Sequence, residues 1–469
     1  EYVISTNKQL AGLAYLVNNG YTDLTSKRIL IGGDIDLSQH NWEPINTIKT
    51  AIIDGQSHCI TGIKIDDDLS NPHVGFFRYI SGVSIMNLNV YGTTYFYGRG
   101  NFNFNTSYTH PSCGGLVGLG YNSSISNCDI DIELIFKQKA FGNSTNNADF
   151  AYIGGIIGQA SAVSIINCCN YSDIEAQFGE LWDKVIIAPT YLYVGGVVGY
   201  AENDSKIMYC GNKSSSLIAE AGYDAYSYKP TINMYIGGIS GFVRETLIKQ
   251  CYNNLRTFKI NHGNIAGLGS YNIFVGGICG YAKLYSTDKE SGIINCYNSG
   301  ALIDRGGSGN GQFLIGAIAG KCNFADTKCI ANFGPSDFTS DAISFQEGYN
   351  GDVSFSSNQM KDQSFVDILN LYPTLKNWEY IWRIVDSYPQ ICPISGIGEI
   401  TNSDLKIAVE GNDIIISDIG INRIIYVYDI EGQIIASKKV IDPKTIITVP
   451  TKGVYIVVIG NDSFKLIIN

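Results

Sequence analysis

Three kinds of side chain in this 469-residue sequence have the type and spacing to do chemistry. Asp129, Asp131 and Glu133 alternate, so in a strand they share one face. Carboxyl pairs about 5 to 9.5 Å apart are what glycoside hydrolysis requires. These three read as the solvent side of a strand. Asp66, Asp67 and Asp68 offer oxygen donors but too few for a calcium site, and they read as a turn. The histidines His40, His58, His73, His110 and His262 form neither HExxH nor any pair at metal spacing, so each reads as structural or solvated. No metal, no cofactor and no catalytic residue is expected.

Aromatic clusters are stronger candidates. Tyr95, Phe96, Tyr97, Phe102, Phe104 and Tyr108 lie between Gly92 and Pro111; Tyr223, Tyr226, Tyr228 and Tyr235 form a second group, and Trp182, Tyr191 and Tyr193 a third. Aromatic faces among Asn and Asp suit a carbohydrate or protein ligand. The expected ligand-binding residues are Tyr95, Tyr97, Tyr108, Tyr223, Tyr226 and Tyr228. The competing reading is that these rings only cover an apolar flank.

What positions them is a repeat. Gly-Gly-apolar-X-Gly occurs at Gly114 to Gly118, Gly154 to Gly158, Gly195 to Gly199, Gly237 to Gly241 and Gly276 to Gly280, with a degenerate copy from Gly316 to Gly320. Successive first glycines are 40, 41, 42, 39 and 40 residues apart. Such a period, with strand-like cores, indicates stacked repeats. Roughly 14 residues after each pair comes a cysteine in polar company: Cys128, Cys168, Cys210, Cys251, Cys296 and, in the sixth copy, Cys329. Tyr152, Tyr193, Tyr235 and Phe274 precede the pairs by two residues. In a parallel β-solenoid each becomes a vertical row, and the glycines mark places where a Cβ would clash. Stacked repeats usually work through an extended surface, which puts binding ahead of catalysis.

Twelve cysteines could mean disulfides. Six recur at one repeat position, which favours free buried thiols; if bridges form, Cys59, Cys113, Cys169, Cys279 and Cys322 are the candidates. Charged residues make up 16% of the chain, and the net charge is -11 without a basic run, which argues against nucleic acid and anionic membranes. No stretch is long and apolar enough to cross a bilayer as a helix, so no membrane insertion is expected. The chain begins at Glu1 without a hydrophobic signal core, as if a leader had been removed or the sequence trimmed.

The glycine signature, the Asn-Cys row and the opening of the chain resemble the GLUG-motif repeat proteins of bacterial surfaces. In that opening, Ser5, Thr6 and Lys8 to Asn18 read as a capped helix ended by Gly20; Asn41-Trp42-Glu43-Pro44-Ile45 and His58-Cys59-Ile60 follow. The resemblance implies a right-handed parallel β-solenoid with short capping helices, in keeping with the usual hand of parallel crossovers. GLUG arrays also occur beside the protease domain of IgA-cleaving metallopeptidases, but the zinc motif is absent here. Thr451 to Ile456 and Phe464 to Ile467 resemble the sorting module of type IX secretion, within a small antiparallel β-sandwich.

The domains expected are 1-110, capping helix and first coils; 111-334, solenoid repeats; 335-397, a C-terminal cap; and 398-469, the sandwich. The expected function is that of a secreted or cell-surface adhesin-like protein, monomeric, binding a host or environmental glycan or a surface protein. A polysaccharide lyase or glycoside hydrolase on a β-helix, and a structural stalk, are the alternatives.

Overall fold

The computed structural model describes all residues except 68–70, 99–109, 139–148, 179–188, 222–230, 265–268, 284–289, 300–301, 324–328, 331, 335–355, 357, 376–379, 386–387, 394–405, 418–423, 430–432, 441–443, 460–461 and 469. The side chains of a few further residues, Tyr97 and Cys329 among them, are also outside the description. The chain forms two compact units, Glu1–Asn358 and Gln359–Asn469. The segment 335–397 is divided between them.

The first unit is a parallel β-solenoid. One coil runs through Asp149–Gly154, Ile157–Ser161, Ser164–Ile166, and then Cys169–Asn170 with Ile174–Phe178. These strands belong, in that order, to four parallel sheets, called first to fourth below, of 7, 8, 10 and 12 strands among the described residues. Register is kept from coil to coil: Gly154, Gly195, Gly237, Gly276 and Gly316 pair in succession in the first sheet. Alternation sends Ile130, Ile132, Leu134 and Phe136 into the core, all fully buried. The outer face of the fourth sheet is thereby left to Asp129, Asp131 and Glu133.

The two sequence markers explain each other. A Cβ on Gly155 would lie 2.3 Å from Asn170 Oδ1, on Gly196 2.3 Å from Asn212 Nδ2, on Gly238 2.2 Å from Asn253 Cγ and on Gly277 2.3 Å from Asn298 Nδ2. From the second pair to the fifth, the second glycine is therefore the space into which an asparagine two residues past the cysteine packs; at the first pair Gly115 instead faces Ile130, whose Cγ2 would lie 2.8 Å from a Cβ there. These asparagines form a buried ladder: Asn170 Nδ2 donates to Asn212 Oδ1, Asn212 to Asn253 and Asn253 to Asn298, each at 3.0 Å. In the sixth copy both partners change. Ala317 replaces the glycine, and Gly334 sits where the asparagine would be, so close that a Cβ on Gly334 would be 2.3 Å from the Ala317 methyl.

The residue before each cysteine is a corner in the left-handed region: Asn127 (φ 53), Asn167 (52), Tyr209 (60), Gln250 (48) and Asn295 (53). Asparagine tolerates that conformation best, hence the Asn-Cys pairs. After the corner Cys128, Cys168, Cys210, Cys251 and Cys296 turn inward into one buried column. Each donates to the carbonyl two residues earlier, at 3.2 to 3.4 Å. Every described cysteine is a free thiol, the bridge candidates Cys59, Cys113, Cys169, Cys279 and Cys322 included. Cys329 is a correction. It pairs with Ile293, three residues short of the column. Asn332 takes the place instead, accepting from Cys296 N at 2.9 Å and donating to Ile293 O at 2.6 Å.

Near the start of the chain, helix α1 spans Asn7–Asn18, with Thr6 Oγ1 accepting from Gln9 N and Gln9 Oε1 from Ser5 N. Its Leu10, Ala14 and Val17 join the core shared with Ile4, Ile31 and Trp42. No helix among the described residues is long and apolar enough to cross a membrane.

The second unit holds helix α2, Gln363–Leu375, and the hairpin Tyr380–Val385 with Tyr388–Pro393. Asn370 locks helix to hairpin, accepting from Trp382 N and donating to Trp382 O at 2.7 and 2.9 Å. Beyond lie, among the described residues, two antiparallel sheets of three and four strands. Ile414, Ile416, Ile425, Val427, Tyr455, Val457 and Ile459 form their common core.

Candidate functional site

Of the six tyrosines expected to bind a ligand, the described residues include the side chain of one. Tyr95, 38% exposed, stands in the strand Asn89–Gly98 beside Asp66 and Ile135. Tyr97 is described only as backbone of that strand, level with Lys137. Tyr108, Tyr223, Tyr226 and Tyr228 lie outside the described residues, as do Phe102, Phe104 and Trp182.

The described structure brings another group together, on the outer face of the fourth sheet. Tyr91 is level with Asp131. The pairing of Asp129 with Cys169 and of Ile130 with Asn170 puts Asp131 level with Tyr171, and the next pairing puts Tyr171 level with Lys213. Tyr91, Asp131, Tyr171 and Lys213 thus form one row along the solenoid. Tyr91 and Tyr171, two coils apart, are about 9.6 Å from each other at the usual strand separation. Tyr171 is 37% exposed. Its hydroxyl accepts from Lys213 Nζ at 3.3 Å, and the ammonium lies 5.2 Å from the ring centroid.

Beside this row, Asp129 is half-buried, and burial raises its carboxyl pKa against the opposing pull of Lys213. The Asp131 pKa is raised by burial and then by the like charge of Asp173. Asp173 accepts from the backbone N–H groups of Ser215 and Ser216 at 2.7 and 2.8 Å. Burial pushes the Cys169 thiol up to about 11, and its Sγ lies 3.7 Å from the Tyr252 hydroxyl. That ring folds over Gly211, where a Cβ would be 2.2 Å from Tyr252 Cζ. The face therefore offers partly exposed rings, carboxylates and one ammonium at coil spacing.

A second aromatic feature is packing. Tyr152, Tyr193, Tyr235 and Phe274 form the expected row, with successive ring centroids 5.1, 5.0 and 5.6 Å apart. Tyr200, Phe242 and Tyr281 on the second sheet form a facing row, Tyr200 stacked on Phe242 at 5.1 Å. The rings of the first row are at most 8% exposed, covering one another along the bend made by the glycine pair. The facing row carried a sequence signal, an aromatic five residues after the first glycine at Tyr200, Phe242 and Tyr281.

The other candidates resolve into structure. Asp66 and Asp67 end the strand Cys59–Asp67 instead of forming a turn. Asp66 is exposed while Asp67 is buried in an ion pair with Arg78 at 2.8 Å, so the two diverge; Asp68 lies outside the described residues. His73 Nδ1 lies 2.7 Å from Ser112 Oγ, a spacing suited to a nucleophile and its base. Ser112 is fully buried, however, and burial together with Arg78 pushes the His73 pKa down to about 4. The pair is a structural contact. His58 is on Asp34 at 3.2 Å, His110 lies against Phe150, His262 is buried against Tyr271, and His40 is exposed.

No protein-family model matches the chain, and no curated protein is similar to it. Among solved structures, the crystal structure of a "putative immunoglobulin A1 protease" from Bacteroides ovatus is similar, at 15% identity and a TM-score of 0.39. The match covers 83% of this chain and 91% of that one.

Proposed function

We propose that this is an extracellular, adhesin-like binding protein that presents the outer face of its solenoid to a glycan. The observation that carries the reading is the row Tyr91, Asp131, Tyr171 and Lys213. Rings that can stack on a sugar and polar groups that can bond its hydroxyls recur there along a straight axis, as an extended polymer requires. Tyr95 belongs to the same sheet face, and Tyr97, Tyr108, Tyr223, Tyr226 and Tyr228 are proposed to extend the binding surface. Export to the cell surface is supported by the resemblance of the repeats to GLUG arrays and of the tail to a type IX sorting module. No nucleic acid, no membrane insertion and a monomeric state are part of the same proposal.

The test is binding of the whole chain to an immobilised panel of polysaccharides, with Tyr91→Ala and Tyr171→Ala. Either substitution should weaken retention severalfold with the melting temperature nearly unchanged, because part-exposed rings carry little folding energy. Full retention by both variants would remove this face from the function. Glycoside hydrolysis is the second reading, favoured by the raised pKa of Asp129, two residues from Asp131 on one strand face. Release of reducing ends by the parent chain, abolished in Asp129→Asn, would establish it.

A further inference from the structure

The charges of this face narrow the ligand. Asp129, Asp131 and Glu133 project from one coil and Asp173 from the next, against Lys213 within the patch and Lys64 two coils below the three acids. Lys137, on the same strand as the acids, is engaged by Glu175 at 3.1 Å. Asp131 stands between the two rings of its row. Asp173 stands on the adjacent coil, diagonal to Asp131, and after burial its carboxylate is what disfavours the charged form of Asp131, an effect that a cation between the two would offset.

Resting on the glycan reading above, we propose that the ligand is an extended polysaccharide of amino sugars bearing free ammonium groups. One pyranose would stack on Tyr91 and one on Tyr171, with an ammonium between them at Asp131 and Asp173. The ring separation of about 9.6 Å is close to the length of two pyranose residues in an extended chain, whereas alternate side chains of an extended peptide are about 6.6 Å apart. A basic peptide therefore fits the same charges less well. Polyuronates are repelled by the carboxylates, and neutral glycans gain only the stacking.

The experiment compares chitosan oligosaccharide, its fully N-acetylated counterpart, polygalacturonate and poly-lysine as ligands of the whole chain and of Asp131→Asn and Tyr171→Ala. Chitosan oligosaccharide should bind best, fall at least about tenfold in Asp131→Asn and weaken with salt, as expected of a partly desolvated charge pair. The N-acetylated oligosaccharide should bind weakly and be indifferent to Asp131→Asn, while Tyr171→Ala reduces both. Equal binding of the two oligosaccharides, or no loss in Asp131→Asn, overturns the ammonium proposal and leaves the glycan reading standing. Binding of poly-lysine as tight as that of chitosan, with the same sensitivity to Asp131→Asn, overturns it in favour of a basic protein. Failure of every glycan to bind, here and on the panel, defeats the reading beneath it.

Discussion

Replacing Gly196 by alanine tests the pairing of glycine and asparagine that recurs at Gly155, Gly196, Gly238 and Gly277. The new Cβ would stand 2.2 Å from Gly238 O and 2.3 Å from Asn212 Nδ2, distances no side chain occupies without something moving. Asn212 is fully buried and bonded to Asn170 and Asn253 at 3.0 Å and to Ser214 Oγ at 2.9 Å. Displacing it strands an amide on each side, at roughly 1–3 kcal/mol apiece for a buried group left unmatched. Overpacking against the carbonyl adds about 1–3 kcal/mol. The expected loss is thus roughly 3–9 kcal/mol, comparable to the whole stability of many domains. Asn212→Ala should show only the first part, about 2–6 kcal/mol. Combining Gly196→Ala with Asn212→Gly, the arrangement found at Ala317 and Gly334, should cost less than the sum of the two changes, because the amide collision is counted once. Gly12→Ala in helix α1, where a Cβ meets nothing within 4 Å, is the control and should stabilise by about 0.5–1 kcal/mol. Urea unfolding followed by circular dichroism, with hydrogen exchange reporting on the coil itself, measures each. A Gly196→Ala protein within 1 kcal/mol of the parent, or strict additivity in the double variant, would refute the pairing.

Two further outcomes follow from the titrating groups. The thiol of the next coil and then burial raise the pKa of Cys128, while burial and the next coil's thiol raise those of Cys168, Cys210 and Cys251 against the opposing hydrogen bond with the preceding cysteine, so at pH 8 a thiol reagent should leave them unmodified until the solenoid unfolds. Mass spectrometry should find Cys59, Cys322 and Cys392, all half-buried, labelled first; early labelling of Cys210 would disprove the column. With a folded pKa near 4 against 6.5 unfolded, His73 takes up its proton in the unfolded chain first. Stability should therefore be intact above about pH 6.5 and fall by up to about 3 kcal/mol as the pH drops towards 4. His73→Asn should flatten that part of the profile, and an unchanged slope in denaturant titrations would show that His73 is not its source.

The solenoid was legible because its constraint repeats. A missing Cβ is needed at the same place in every coil, and a period survives in the sequence even when neighbouring residues vary. Cys329 misled because spacing alone does not count residues along a strand. The register with Ile293 puts Asn332 in the column, and asparagine there resembles no cysteine. The acids at 66 and 67 misled because a run of aspartates resembles a turn, whereas Arg78, distant in the sequence until the coil closes, makes burial of Asp67 tolerable. The Tyr91 to Lys213 row is of that kind too. Its members are 40 or more residues apart and change type from one coil to the next, so only coil-to-coil register makes them neighbours.

The asparagine ladders also bear on how such a chain changes length. Inside, donation runs upward from Asn170 to Asn298; outside, at the left-handed corners, it runs downward, Asn167 to Asn127, Asn127 to Asn87, and Asn87 to the carboxylate of Asp54. Asn212 and Asn253 inside, and Asn87 and Asn127 outside, each accept from one neighbour and donate to the other, so within one ladder these rungs are interchangeable. Duplicating the whole coil of Asn212 or of Asn253 keeps the inner amides bonded rung to rung, while a partial period breaks that ladder. The termini are not interchangeable, since one ladder stops on a carboxylate and the other at Asn298. Growth by insertion of entire internal coils, between ends that stay fixed, is the route this architecture leaves open to gene duplication.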